Sequence, residues 1–154
     1  MWSDYHLHLE YGDYDEEYVL RFLEQAQKIG LSEIGFSEHS HAFEEFRELY
    51  YEDLILDDSP IGNFQKRWLA NPKSKFVHSL PKYQEFITNL KAKGYPVKMG
   101  IEVCNFQNQK KVAEILSGYD WDYRMVSVHF VRGWGFDFEV LKDNFDKGDL
   151  VSIW

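Results

Sequence analysis

Four histidines and one glutamate occupy positions from which a folded chain could bind divalent metal ions. Each falls at the end of a short apolar segment, and the five are His6, His8, His39, Glu102 and His129. Imidazole nitrogen with carboxylate oxygen suits zinc, manganese or iron, whereas calcium and magnesium prefer sites built almost wholly of oxygen. Five ligands exceed the need of one catalytic ion with an open position, so Glu102 could bridge two ions.

The elements that must position these residues follow from hydrophobic periodicity. Apolar segments predict four strands, at about residues 3–9, 34–36, 97–103 and 123–128. Repeats at helical spacing predict a helix that starts at a capping box from Asp13 to Glu16 and ends at Gly30, and two more around residues 83–90 and 112–116. Such alternation favours a parallel sheet, open or closed, with its site at the carboxyl ends of the strands.

The segment from about residue 41 to 81 has no clean period, and we interpret it as a lid or insertion with some helix at residues 43–51. Connections of this length are uncommon unless they are functional. We expect His41 and His78 within it to be surface histidines rather than ligands. Its acidic and aromatic residues are as consistent with a solvated helix face as with substrate contacts; they are Glu44, Glu45, Glu48, Tyr50 and Tyr51.

Composition limits the classes of protein that this chain can represent. With 154 residues, of which 44% are hydrophobic, it can form one globular domain with a sizeable core. A formal net charge of −9 argues against a general nucleic-acid binder. Cys104 is the single cysteine and is expected to be a small core residue, and neither a secretory signal nor a membrane-spanning apolar run is present. We therefore expect a cytoplasmic protein without membrane or nucleic-acid partners, of unknown oligomeric state.

Four ordered motifs resemble those of the polymerase-and-histidinol-phosphatase superfamily, and they are most similar to its histidinol-phosphate phosphatases. The resemblance runs from Asp4 to about Asp137, which is nearly the whole chain. The motifs are Tyr5-His6-Leu7-His8, Phe36-Ser37-Glu38-His39-Ser40, Met99-Gly100-Ile101-Glu102-Val103, and Ser127-Val128-His129-Phe130 followed by Gly133-Trp134-Gly135-Phe136-Asp137.

This resemblance implies an α/β fold, the front half of a distorted (β/α)7 TIM-like barrel, with the insertion after the second strand. It also implies a cluster of two or three divalent ions, either zinc, manganese or iron, and hydrolysis of the small-molecule monoester L-histidinol phosphate in histidine biosynthesis. In that scheme His6, His8 and His39 are ligands, Glu102 bridges two ions and His129 holds one of them.

The expected chemistry needs no protein nucleophile, because a hydroxide that bridges two metals can attack phosphorus. Glu102 and His129 would serve this step as ligands. Glu38 could orient a metal-bound water or a ligand histidine, although capping of the next helix is an equal alternative. Arg132, three residues after His129, could add a bidentate contact to the phosphate.

Two departures from the family pattern define the open alternatives. Related proteins often carry a further ligand histidine where this sequence has Tyr14, flanked by Asp13 and Asp15, either of which could substitute. The closing motifs of the family, a later histidine and an Asp-x-His pair, have no counterpart before Trp154, so we expect residues 1–154 to be a truncated phosphatase domain. The alternatives are a phosphoesterase acting on a nucleotide or a DNA end, or a non-catalytic metal-binding fragment.

Overall fold

A computed structural model describes residues 2–10, 12 and 14–135 of the chain. Four parallel strands form one sheet in which sequence order and spatial order coincide. The strands are β1 (Ser3–Leu7), β2 (Glu33–His39), β3 (Val97–Cys104) and β4 (Met125–Ser127). A parallel sheet that adds strands in chain order, with helices in the crossovers, is the front half of a TIM-like barrel, which confirms the predicted fold class.

The described residues contain five α-helices. They are α1 (Glu16–Lys28), α2 (Arg47–Asp53), α3 (Pro60–Leu69), α4 (Leu80–Ala92) and α5 (Gln109–Ser117). The three helices predicted from periodicity correspond to α1, α4 and α5. The predicted capping box at Asp13 is wrong: Asp13 lies outside the described residues, and Asp15 caps α1 by accepting a hydrogen bond from the backbone N–H of Tyr18 at 2.8 Å.

The segment between β2 and α4 contains more regular structure than the sequence predicts. The helix expected at residues 43–51 is present as a 3-10 turn, Glu44–Phe46, followed by α2. Helix α3 was not predicted, although Ile61, Phe64, Trp68 and Leu69 recur at helical spacing, because the proline and glycine at positions 60 and 62 indicated a loop. In the structure Ser59 is the N-cap of this helix and Pro60 lies in its first turn, so these residues mark the start of a helix.

The strands of the sheet end at slightly different residues from those predicted. β1 stops at Leu7, with a register irregularity between Asp4 and Leu7, so His8 lies just beyond the strand. β3 continues to Cys104, two residues past Glu102. β4 is only three residues long, and His129 follows it by two residues. Strand boundaries are the least certain part of a pattern-based prediction, because the apolar run does not mark where pairing stops.

Two glycines let an aromatic ring fill the inner face of the sheet. Gly35 and Gly100 lie on neighbouring strands beneath the Tyr123 ring, and a Cβ added at either would collide with that ring. Tyr123 also stacks on Tyr5 with centroids 5.0 Å apart and donates a hydrogen bond to the Tyr5 carbonyl at 2.7 Å. We call these two rings and two glycines the tyrosine floor. Because side chains alternate along a strand, Glu102 faces the same side as Gly100 and lies above the floor.

A small hairpin that the sequence did not predict follows His129. Strands β5 (Phe130–Val131) and β6 (Trp134–Gly135) pair antiparallel. Arg132 and Gly133 form the turn with φ of 51° and 80°, the left-handed geometry that two-residue hairpins favour. Gln65 of α3 fixes the hairpin by donating to the Gly133 carbonyl at 3.1 Å and accepting from the Gly135 N–H at 2.7 Å.

Among the residues that the structure describes, no helix is both long and apolar enough to cross a membrane.

Candidate metal centre

The five predicted ligand residues come together at the carboxyl edge of the sheet. His6 lies in β1 and His8 directly follows it, His39 is the last residue of β2, Glu102 lies in β3 and His129 follows β4. The register pairs His39 with Glu102 on adjacent strands. Carboxyl ends of parallel strands share one edge, which is why residues nearly 100 positions apart meet here.

Glu102 is the centre of this group. Its Oε2 lies 2.9 Å from His6 Nε2 and 3.7 Å from the Nε2 atoms of both His8 and His39. Its Oε1 lies 3.0 Å from His129 Nε2. One oxygen of this carboxylate therefore contacts histidines from β1 and β2, and the other contacts the histidine that follows β4, which is an arrangement suited to a bridging ligand.

The donor atoms fit bound divalent cations. Two groups, His6-His8-Glu102 and His39-Glu102-His129, each have ligand atoms within 4.8 Å of one another. Bonds of about 2.1 Å to a tetrahedral or octahedral ion place neighbouring ligand atoms roughly 3.0 to 3.4 Å apart, and the observed separations of 2.9 to 3.7 Å bracket that range. His8 Nδ1 is also buried without a hydrogen-bond partner in the described part of the chain, as expected of a ring whose polar contacts are incomplete without a ligand.

Electrostatics favour an ionised carboxylate at Glu102 and a neutral ring at His8. Burial opposes the charge on Glu102, but the hydrogen bond from His129, the charge of His39 and the hydrogen bond from His6 outweigh it and lower the pKa of this carboxyl. Burial, followed by the charge of His39, lowers the pKa of His8. An anionic oxygen beside neutral ring nitrogens is the protonation state that a divalent cation needs.

Glu10 is a functional candidate that the sequence analysis missed. Its side chain is only 2% exposed, and its Oε1 lies 2.6 Å from Nδ1 of His39. Its Oε2 accepts a hydrogen bond from the backbone N–H of the same histidine at 2.8 Å and lies 4.0 Å from His8 Nδ1. The signal was present in the sequence, since Glu10 is two residues after His8, but a single glutamate in a loop has no periodicity to mark it.

The prediction that His41 is a surface histidine is wrong. It is 8% exposed, its ring stacks on His39 at 4.8 Å, and its Nε2 lies 4.0 Å from Glu10 Oε1. Burial, with the nearby charge of Lys75, lowers its pKa to about 2. Strand β2 is followed directly by a 3-10 turn, Ser40–Ala42, and in this turn the His41 side chain is buried. His78 is half-buried and stacks on Tyr14 with centroids 4.3 Å apart.

Lys75 brings a buried cation to the same region. Its Nζ lies 3.2 Å from His41 Nε2 and 4.2 Å from the centroid of the Trp68 ring. Burial lowers the pKa of this ammonium to about 8, against the opposing charge of Glu10. The insertion thus contributes an ammonium group beside the cluster, a role that no pattern in the sequence indicated.

Glu38 does not cap the helix that follows it. The next 3-10 turn has His39 at its N-cap with no side-chain hydrogen bond, so the capping alternative is wrong. Glu38 is instead fully buried, and its Oε1 accepts the backbone N–H of Leu9 at 2.6 Å. Burial, followed by the charge of Glu10, raises its pKa. Glu10, which follows β1, accepts hydrogen bonds from His39 at the end of β2, and Glu38 in β2 accepts one from Leu9 after β1. The two carboxylates therefore connect the two segments that carry the histidines.

Arg132 lies beside the cluster rather than within it. It lines a cavity of about 480 Å³ together with Asp53, Asn105 and the two neighbours of His129, Val128 and Phe130. The cavity therefore adjoins the metal centre through the His129 segment. It presents one guanidinium and one carboxylate to a molecule that enters it.

The remaining candidates have structural partners. Cys104 is a buried free thiol, as predicted, and its Sγ lies 3.1 Å from the hydroxyl of Tyr50. The expected acidic substrate contacts are engaged elsewhere: Glu44 pairs with Arg47, Glu45 accepts the backbone N–H of Leu80, and Glu48 pairs with Lys111. Tyr51 is exposed.

The Tyr14 position provides no direct replacement for the histidine expected there. Its ring packs between His78 and Phe86, and its hydroxyl is buried without a hydrogen-bond partner among the described residues. The Asp15 side chain is the N-cap of α1 and accepts the backbone N–H of Tyr18. Among the described residues, Glu10 is the carboxylate of this loop that reaches the histidine cluster.

Comparison with known proteins agrees with this fold and site. The PHP domain family matches residues 4–151, and the chain belongs to that family. A probable histidinol-phosphatase of Deinococcus radiodurans is 31% identical over 98 residues. That similarity covers 57% of this chain and 35% of the relative, so the chain spans little more than a third of the length of that protein.

Proposed function

We propose that this chain carries the metal centre of a phosphomonoesterase whose substrate is L-histidinol phosphate. The observation that supports it most directly is one buried carboxylate, Glu102, within 2.9 to 3.7 Å of ring nitrogens from four histidines. In this proposal His6 and His8 would hold one ion together with Glu102, and His39 and His129 would hold a second ion with the same carboxylate.

Divalent cations bound there would activate water near neutral pH and neutralise charge on the phosphate as the ester bond breaks. The protein residues hold these ligands in place and keep Glu102 ionised. The tyrosine floor closes the inner side of the sheet below Glu102, so a phosphate approaches from the carboxyl edge. Zinc, manganese and iron all suit this donor set, and availability decides among them.

The cavity beside His129 supports, as the substrate, a small phosphate monoester that also carries an ammonium group. Arg132 can contact phosphate oxygens, and the carboxylate of Asp53 can pair with an ammonium group. L-Histidinol phosphate carries both a phosphate and an ammonium. The printed name of the Deinococcus relative is consistent with this substrate. The proposal includes a role in histidine biosynthesis in the cytoplasm, with a small molecule as the partner.

Metal content and phosphate release test this proposal together. The purified chain is loaded with zinc or manganese, its metal content is measured by elemental analysis, and phosphate release from L-histidinol phosphate is followed. Glu102→Gln is the test variant, since the amide cannot bridge two cations as a carboxylate does. Glu44→Gln, which alters an exposed ion pair with Arg47, is the matched control.

We expect about two ions per wild-type chain, release of phosphate, and loss of both in Glu102→Gln but not in Glu44→Gln. Release from a nucleotide monoester in preference to L-histidinol phosphate would assign another substrate. Bound metal without turnover of either would support a non-catalytic metal-binding protein. A wild-type chain that binds no metal would overturn the proposal.

A further inference from the structure

Two carboxylates approach the same histidine ring from opposite sides. Glu102 lies on the Nε2 side of His39, at 3.7 Å, and Glu10 lies on its Nδ1 side, at 2.6 Å. We propose that Glu10 is a positioning residue that accepts the Nδ1 proton of His39 and thereby presents the Nε2 lone pair of this ring to a cation beside Glu102. This inference rests on the proposed metal centre, and it concerns cation binding rather than turnover.

The first argument is the protonation of the ring. A neutral imidazole carries one N–H, and the nitrogen that donates it cannot bind a metal. A carboxylate at 2.6 Å from Nδ1 selects the tautomer with the proton on Nδ1. The nitrogen left with a lone pair is Nε2, which is the one that faces Glu102 and His129.

The second argument is that Glu10 fixes the position of His39 as well as its tautomer. While Oε1 contacts the ring, Oε2 accepts the backbone N–H of the same residue at 2.8 Å. The ring can therefore neither rotate about its side-chain bonds nor move with its backbone without breaking a hydrogen bond. Carboxylates that hold a metal-binding histidine from its far nitrogen commonly change metal affinity about 10- to 100-fold when removed.

The third argument distinguishes this role from that of a ligand to a separate ion. Glu10 also forms a possible ligand group with His8 and His39. An ion in that group would take Nδ1 of His39, so the ring would have to lose both of its protons to bind a second ion through Nε2. It would also compete with the backbone N–H that Oε2 already accepts. The geometry favours a hydrogen-bond acceptor over a ligand.

The surroundings hold the Glu10 loop in place and bring a cation near its carboxyl group. The loop that carries Glu10 is held by Glu38 through the N–H of Leu9 at 2.6 Å. His41 Nε2 lies 4.0 Å from Glu10 Oε1, and the ammonium of Lys75 lies 3.2 Å from that nitrogen. A nearby cation reduces the cost of burying the Glu10 charge.

Zinc affinity measured by competition with a chromophoric chelator tests the inference in the whole chain. The test variant is Glu10→Gln, in which one amide cannot accept from both the ring and the backbone of His39. The matched control is Glu45→Gln, because Glu45 also accepts a backbone N–H, that of Leu80 at 3.0 Å, and is part of the insertion rather than of the histidine cluster. Cobalt loading adds an absorption spectrum that reports ligand geometry.

We expect Glu10→Gln to keep the wild-type number of zinc ions. The ion that His39 binds should dissociate about 10- to 100-fold more readily than in the wild type, and the cobalt spectrum should change. Glu45→Gln should match wild type in both. Loss of one whole ion with unchanged affinity for the rest would make Glu10 a ligand, and an effect no larger than that of Glu45→Gln would make it purely structural; either result overturns the inference.

A measurement on the unmodified protein keeps the test valid if Glu10→Gln does not fold. Nitrogen chemical shifts of the His39 ring in the zinc-loaded chain should show a protonated Nδ1 and an unprotonated Nε2. The opposite tautomer would refute the inference. Neither experiment reads phosphate release, so a chain that binds zinc with this His39 tautomer but hydrolyses no ester would contradict the proposed function and leave the inference intact.

Discussion

Replacing Gly100 with alanine should destabilise the protein through the tyrosine floor. A Cβ at this position would lie far inside the contact distance of the Tyr123 ring, and Tyr123 is itself held by its hydrogen bond to the Tyr5 carbonyl. Overpacking of a filled interior costs about 1 to 3 kcal/mol. Displacing the ring also breaks its hydrogen bond, which lowers the free energy of unfolding by about 1 kcal/mol. An unfolded chain with alanine has less backbone entropy than one with glycine, and this raises the free energy of unfolding by about 0.4 to 1 kcal/mol.

The net expectation is a loss of about 2 kcal/mol in the free energy of unfolding, or a Tm lower by about 4 to 8 °C for a chain of this size. Urea unfolding followed by circular dichroism measures it. Gly118→Ala is the control, because a Cβ there makes only an ordinary contact, 3.8 Å from the Ile115 carbonyl oxygen, and should leave stability unchanged or raise it by up to about 1 kcal/mol.

A double-mutant cycle assigns the loss to the ring. In a Tyr123→Leu background the ring that meets the new methyl group is absent, so Gly100→Ala should cost much less there than in the wild type. The reasoning is refuted if Gly100→Ala is as mild as Gly118→Ala, or if its cost is the same whether or not Tyr123 is present.

Three further predictions follow from buried or capping groups. Burial raises the pKa of the Cys104 thiol to about 11, so at pH 8 its thiolate fraction is about 100-fold below that of a free cysteine. Iodoacetamide should therefore label this thiol only after the protein unfolds. Rapid labelling of the native chain would contradict the burial. Asp15→Ala should cost about 1 kcal/mol in urea unfolding and Asp15→Asn almost nothing, since asparagine is an equally good cap; equal losses would exclude the capping role. Tyr83→Phe should cost about 1 to 2 kcal/mol, because the fully buried hydroxyl lies 2.9 and 3.0 Å from the carbonyls of Phe36 and Gly100, and an unchanged urea midpoint would disprove that contribution.

The sequence predicted those parts of the fold that depend on regular hydrophobic spacing. Helices α1, α4 and α5 and the four strands of the sheet were found because each buries an apolar stripe or an apolar run. The proximity of His39 and Glu102 was predicted from the alternation of strands and helices, because this alternation favours a parallel sheet and the carboxyl ends of parallel strands lie at one edge. The ligand roles of these residues remain predictions until metal binding is measured.

Other parts were missed because their burial is polar or irregular. Helix α3 starts with Ser59 and Pro60, which were interpreted as part of a loop, and it buries Gln65, whose amide forms hydrogen bonds with backbone groups of Ile55 and of the hairpin. Glu10 and Lys75 are buried only because they lie near opposite charges or histidines that are distant in sequence. Their environment exists only in three dimensions, and no spacing along a single chain reveals it.

The position of Glu102 has a consequence for how the sheet opens. His6 and His129 come from β1 and β4, which are the outer strands of the described sheet and do not pair with each other, yet both rings contact the carboxylate between them. An unfolded chain would have to close a loop of 96 residues to bring His6 to Glu102, so a cation held there binds the native state almost exclusively. At a free concentration 100-fold above its dissociation constant, such an ion adds about 2.7 kcal/mol to the free energy of unfolding. Because Glu102 belongs to both proposed ion sites, the two ions together would link β1 to β4 and resist fraying of these strands, and hydrogen exchange in β1 and in the short β4 should slow together as metal is added.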